Sequence, residues 1–311
     1  MRWHRGTFGA AALSCLLALL LLPDASAEAA RDALALCAQT VIPSLFPFFV
    51  LSSLLVSCGA GEILSSLLAP LMRPLFGLSG AGAAALALGL CGGYPVGART
   101  SAELTHSGML TREEGERLLS FCNNAGPGFL LGICGGAVFS SPRAGAALYL
   151  IHVASALFTG ILLCRRLPPL RAARPVRTAD QARMPLSSAL PAAIQGALSG
   201  ILNVCAFVIF FTVLARLVLV LLPDAAAQSL PCAALLGLLE LTSGVTALPN
   251  SRAGFLLCAA MLGWGGLSVH CQTISALAAS PLTGKYYLRG KAMQAIVSLL
   301  LALPALPFLF P

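Results

Sequence analysis

The chain has 311 residues, of which 58% are hydrophobic and only 10% charged, with a mean hydropathy of +0.89. A soluble domain is about 25% charged, so a water-soluble globular enzyme is excluded, and high apolar content with few charges excludes disorder. The net charge of +8 is carried by 17 Arg and 2 Lys, which in a membrane protein marks cytoplasmic loops rather than nucleic-acid contact.

The apolar runs are long, continuous and rich in Leu and Ala, without the ten-residue alternation of a β-barrel. They point to an all-α multi-pass membrane protein. The 11 Cys lie scattered in these runs with no C-x-x-C pair, and read as small buried residues.

Arg2 and Arg5 precede an apolar run from Thr7 to Leu22, and Ala25-Ser26-Ala27 imitates a cleavage site. Residues 1–32 are expected to be an uncleaved N-terminal anchor. The next segment, 33–58, carries Pro43 and Pro47, which remove backbone donors and predict a kinked span. The stretch 63–76, interrupted by Pro70, Arg73 and Pro74, reads as interfacial or re-entrant. Residues 79–97 form a small, apolar span ending in Gly92-Gly93-Tyr94-Pro95-Val96-Gly97, and 98–119 a polar amphipathic helix. Thr111 followed by Glu114 resembles a capping box. Residues 120–141 are glycine-dense around Asn123-Asn124-Ala-Gly-Pro-Gly128, and 144–164 is an ordinary span.

Residues 165–185 hold six Arg and four Pro and are expected to be a cytoplasmic linker between two halves. Spans follow at 193–222, at 230–248 with Glu240, and at 292–310. Between the last two, 253–283 is interrupted at Gly263-Trp-Gly-Gly266. Placing positive clusters inside closes only if 120–141 and 253–283 enter and return on one side. The expectation is about seven transmembrane helices plus two re-entrant hairpins, in two inverted repeats, 33–164 and 186–311. Inverted repeats with broken helices are the architecture of secondary transporters.

Irregular backbone at membrane depth persists only where protein or a polar cavity satisfies its N–H and C=O groups. Gly92, Gly93, Tyr94 and Pro95 are therefore expected to line a cavity, with free half-helix N–H groups facing an anionic or polar solute. Small-residue helix packing is the competing explanation. Asn123 and Asn124 offer amide donors and acceptors. Glu240, the one carboxylate near the middle of an apolar span, is a site candidate with Thr242 and Ser243 beside it. A structural pair of Glu240 with Arg216 is the alternative. Gln272, Trp264 and His270 are polar groups in an apolar setting, where a lone His is more often hydrogen-bonded structure than a ligand. Arg99 is either an attractor for an anion or an ordinary interface charge.

No enzyme template fits: H-E-x-x-H, G-x-S-x-G and the P-loop are missing, and the four His show no metal spacing. No cofactor or metal is expected. A coupling ion, proton or sodium, is left open, as is a homo-oligomer. The expected partners are a small-molecule solute and the lipid bilayer.

Several motifs carry a resemblance. Pro43-Ser-Leu-Phe-Pro47-Phe, Pro70-Leu-Met-Arg73-Pro74-Leu-Phe76, Gly93-Tyr-Pro-Val-Gly97, Glu116-Arg-Leu-Leu-Ser-Phe121-Cys-Asn123 and Asn123-Asn-Ala-Gly-Pro127-Gly-Phe129-Leu-Leu-Gly132 resemble the sporulation integral membrane proteins of the YlbJ type. The second half matches more loosely, mainly at Gly237-Leu-Leu-Glu240-Leu-Thr242-Ser-Gly244. The resemblance implies a nucleoside-recognition Gate domain, a distant likeness to concentrative nucleoside transporters, and a role late in spore formation. It implies a permease moving dipicolinate across the outer forespore membrane by alternating access. A nucleoside-type transporter and a non-transporting scaffold for spore assembly are the alternatives.

Overall fold

The computed structural model describes residues 2–57, 70–168 and 186–310, and their regular structure is helical throughout. In chain order the helices that matter here are α1 Arg2–Leu21, α2 Pro23–Leu36, α3 Ile42–Ser57, α4 Gly82–Gly92, α5 Val96–His106, α6 Arg112–Leu118, α7 Pro142–Arg166, α8 Leu186–Val220, α9 Leu230–Leu239, α10 Leu241–Thr246, α11 Arg252–Trp264, α12 Gly266–Leu277 and α13 Tyr287–Ala302. A π-helical stretch, Gly128–Val138, precedes α7. Most of the predicted linker (169–185) and half of the predicted interfacial stretch 63–76 (63–69) lie outside the described residues.

Among the described residues four helices are long and apolar enough to cross a membrane, or five if the α1–α2 pair, bent by 101°, counts as one span. The expected total of seven is redistributed: 33–58 is not a separate candidate, its first part belonging to the bent α1–α2 pair, which ends at Val41, and two further changes follow. First, 79–97 and 230–248 are not single spans. The chain turns after α4 and after α9, and the next helix packs back on the one before. Glycines permit this close approach: a Cβ on Gly89 would lie 2.9 Å from Gly97 Cα, and one on Gly244 would overlap the Gly237 backbone. Second, 253–283, expected to enter and return, runs on as α11 and α12 within one candidate span. Only Gly265 (φ +96°) and Gly266 (φ +79°) leave helical geometry there, so the helix resumes without reversing.

The predicted amphipathic helix 98–119 is two helices. The turn contains Gly108 at φ +72°, and Thr111 starts α6 with a complete capping box, Thr111 and Glu114 each holding the other's backbone N–H. The π turn at Cys37–Val41 lies just before Pro43, where the α-helical ladder loses a donor. The helix α2 crosses the expected 32/33 boundary without a break. Glu28 on α2 pairs with Arg216 on α8 at 3.2 Å, so Arg216 is not the partner of Glu240.

The long helices are apolar outside and polar inside. Their outer faces expose Leu150, Leu202 and Ile296, while their inner faces bury His152, Lys291, Gln294 and Ser298. This inversion suits lipid as the outer solvent. Inside, Phe76 stacks on Phe121 at 4.6 Å, and Phe139 meets Phe255 edge-on at 5.6 Å. Glu116, buried on α6, accepts hydrogen bonds from Thr283 N (2.6 Å), Thr283 Oγ1 (2.8 Å) and Lys285 N (2.7 Å). It ties the first half to the loop that leads into α13.

Candidate functional site: convergent helix breaks, a closed polar core and an open cleft

The helix interruptions meet one another. A Cβ built on Gly93 would lie 3.0 Å from Gly126 N, so the break after α4 rests on the Asn123–Pro127 segment. Tyr94 donates its hydroxyl to Leu262 O at 2.8 Å, one turn before the Gly265 break. A Cβ on Gly266 would lie 2.7 Å from Gly237 O and 3.4 Å from Leu241 N, beside the α9–α10 break. Non-helical backbone from both halves is thereby gathered in one protein-wrapped region, as its unpaired groups require.

At three of these breaks, backbone N–H groups are taken by the protein's own side chains, which corrects the expectation of free N–H groups facing a solute there; the start of α12 at Gly266 has no side-chain cap. Asn123 Oδ1 accepts from Ala98 N at the start of α5 (3.4 Å), and His152 Nε2 accepts from Ala125 N (3.0 Å). The Glu240 carboxylate accepts from Thr242 N (3.1 Å), Ser243 N (2.7 Å) and Ser243 Oγ (2.9 Å). It is the N-cap of α10. Buried N–H groups left without water demand such acceptors.

Beside the breaks lies a closed polar core. Lys291, fully buried on α13, donates to Gln294 Oε1 (2.8 Å) and Asn123 O (3.1 Å), and its ammonium lies 3.4 Å from Tyr94 Oη and 5.1 Å from that ring's centroid. Gln294 Nε2 donates to Asn124 Oδ1 (2.8 Å), and Asn123 Nδ2 donates to Thr273 Oγ1 (2.8 Å). The Tyr287 hydroxyl lies 3.1 Å from Thr273 Oγ1 and 3.0 Å from His270 Nδ1. Among the described residues no carboxylate pairs with Lys291, and His152 Nδ1 and His270 Nε2 have no hydrogen-bond partner.

An open cleft of about 430 Å³ lies on another side of the Pro95 turn. Pro95, Arg99 and Glu103 line it from the first half; Asn203, Gln272 and Ser275 line it from the second. Arg99 donates to Glu103 Oε1 (2.9 Å) and to Gly196 O (2.9 Å), and its guanidinium lies over the Phe49 ring at 5.1 Å. The second oxygen of Glu103 is buried without a partner. Asn203 donates to Ser275 Oγ. The volume falls within the range of small-molecule sites, which are concave and carry a few placed polar groups.

The ten residues expected to bind solute therefore divide. Pro95 and Gln272 line the cleft; Tyr94, Asn123 and Asn124 belong to the closed core; Glu240, Thr242 and Ser243 form a cap; Gly92 and Gly93 pack inside. Lys291, Gln294, Thr273, His152, Asn203 and Ser275 were not anticipated. A signal existed on α13, where Tyr287, Lys291, Gln294 and Ser298 recur at helical spacing as a polar stripe in an apolar helix.

The chain is 29% identical to the sporulation integral membrane protein YlbJ of Bacillus subtilis (strain 168), over 88% of this chain and 76% of the relative. No family model matches it, and no solved structure matches it. The likeness supports assignment to the YlbJ type of integral membrane proteins.

Proposed function

We propose that this YlbJ-type membrane protein is a permease for a small, planar solute bearing carboxylates, with dipicolinate the first candidate, and that it works in sporulation at the outer forespore membrane. The observation that carries the proposal is the cleft, to which Pro95, Arg99 and Glu103 of the first half and Asn203, Gln272 and Ser275 of the second all contribute. A site shared between two halves of opposite expected orientation suits alternating access. Arg99 supplies a planar fork of donors for a carboxylate, and Asn203 and Gln272 supply amides for a ring nitrogen or a second carboxylate. The role in sporulation is supported by the name of the relative.

The amides favour a second substrate class as well. Glu103 offsets the charge of Arg99 at 2.9 Å, and a nearly neutral, amide-lined cleft also suits a nucleobase. The test is uptake into proteoliposomes holding the purified full chain, with radiolabelled dipicolinate and nucleosides compared. Saturable dipicolinate uptake supports the proposal, and saturable nucleoside uptake alone moves it to the second class. Uptake of neither overturns it and leaves the scaffold reading.

A further inference from the structure

We infer that Lys291 is the proton-carrying group of this protein, so that solute movement is coupled to protons rather than to sodium. The inference rests on the permease reading and names its coupling ion.

Lys291 differs from an ordinary buried lysine in what surrounds it. Three neutral oxygens, Gln294 Oε1, Asn123 O and Tyr94 Oη, lie within 3.4 Å of Nζ, matching the three donors of an ammonium. The Tyr94 ring adds an aromatic face at 5.1 Å. The protonated form is therefore accommodated without a carboxylate. For that same reason the proton can leave. A lysine locked in a buried ion pair strands its partner's charge when it deprotonates; here no acidic partner is stranded among the described residues. A proton carrier requires both states to be tolerable in one place.

The groups around Lys291 come from several neighbouring elements. The 119–127 segment contributes the Cys122 thiol, and the turn after α4 contributes the Tyr94 hydroxyl. His152 on α7 and His270 on α12 both lie within the field of Lys291, each with one unpartnered ring nitrogen while the residue is more than nine-tenths buried. Tyr287, on α13 itself, links His270 to Thr273 and so to Asn123. The helix α11, packed along α13, contains no carboxylate. Two buried imidazoles with unpartnered ring nitrogens, in the same polar core as a fully enclosed amine, are the parts of an intramembrane proton relay.

A solute does not compete for this position. Lys291 is fully buried and does not line the cleft. A carboxylate would need an opening there; a proton needs only hydrogen bonds. The step balances at Nζ: its neutral lone pair accepts a proton supplied by water (hydronium) on one side to give the ammonium, and the N–H bond then breaks with the electron pair returning to nitrogen and the proton passing to water on the other side. Protonation also strengthens the hold of α13 on Asn123 and Tyr94, which gives the proton leverage over contacts between the two halves.

The test uses the full chain in proteoliposomes with a trapped pH dye. Two quantities are read: dipicolinate exchange at equilibrium, which needs no net proton movement, and proton movement driven by a dipicolinate gradient. The wild type should show both, insensitive to sodium. In Lys291→Gln and Lys291→Arg, exchange should persist while gradient-driven proton movement falls by at least about tenfold. Proton movement that survives in either variant overturns the inference. So does wild-type exchange with no proton movement, and so does loss of exchange in both variants with normal folding, which would put Lys291 on the solute path. Absence of exchange in the wild type overturns the permease reading itself.

Discussion

Asn124 and Gln294, 170 positions apart, share a hydrogen bond of 2.8 Å in a fully buried setting. Gln294 turns its other end to Lys291, so one amide clamps the Asn123–Pro127 break to the last long helix. Replacement by Met would leave Asn124 Oδ1 and the Lys291 ammonium each short of a partner. An unsatisfied buried polar group costs about 1–3 kcal/mol, more when it is charged. We expect Gln294→Met to lower the melting temperature in detergent by several degrees, with Gln294→Glu failing to restore it. An unchanged melting temperature in Gln294→Met would contradict the clamp.

Gly89 and Gly97 face the Cys122 carbonyl, and a Cβ on either would overlap that oxygen. Because the obstacle is backbone rather than a flexible side chain, relief requires the break itself to shift. We expect Gly97→Ala to cost about 1–3 kcal/mol or more and to reduce the folded protein in membranes. Gly132→Ala, with nothing within 4 Å of the new methyl, should be neutral. Fluorescence-detected size exclusion of the two variants checks the contrast.

Glu240 holds Thr242 N and Ser243 N at the start of α10. Loss of an N-cap costs about 0.5–2 kcal/mol. We expect Glu240→Ala to lower stability by this amount and to keep saturable uptake at a permissive temperature. Loss of uptake without loss of stability would instead make Glu240 part of the solute or ion path.

Arg99 is the cation of the cleft, and it is braced by Glu103, Gly196 O and the Phe49 ring. We expect Arg99→Gln to raise the half-saturation concentration for dipicolinate by about tenfold or more, since a charge-assisted pair is worth roughly 1.5–3 kcal/mol. Glu103→Gln should leave it unchanged or lower it. Equal losses in the two variants would argue that the ion pair merely supports the fold.

The capping box gives a pH signature outside the membrane-spanning helices. Burial pushes the Glu114 carboxyl up, but the N–H groups of Thr111 and Ser79 outweigh this and hold it below its ordinary value. A carboxyl lowered on folding contributes stability above the unfolded value of about 4.3. That contribution is lost as pH falls through the lower folded value. We expect Glu114→Gln to flatten the acid limb of stability against pH below about pH 5; an unaltered limb would show that the box carries no net stability.

Some of this organisation is legible in the sequence. The Thr111–Glu114 spacing specifies a helix start, and glycines at 92–93 and 265–266 specify interruptions, because each follows from local backbone chemistry. The likeness of Gly89/Gly97 to Gly237/Gly244 is visible too, since both pairs let neighbouring helices touch. Where those helices go is not local. Gly265 and Gly266 could reverse the chain or merely bend it, and only packing of Gly263 against Ala295 on α13 decides that the span continues. Lys291 escapes notice because it stands beside Lys285 and Arg289, where a positive flank is expected. Nothing in the run of charges says that it turns inward. Likewise Asn203 and Ser275 are single polar residues on apolar helices, and their value lies in meeting each other across the cleft.

Solute protection of the cleft is the most direct measurement. Ala276 lines it on the side of α12. In a background with the native cysteines replaced, Ala276→Cys in native membranes should react with a small maleimide, and dipicolinate should slow that reaction saturably while Ala234→Cys, outside the cleft, is unaffected. Labelling of Ala276→Cys that proceeds at the same rate with dipicolinate, with nucleosides and with buffer alone would contradict a solute site in this cleft.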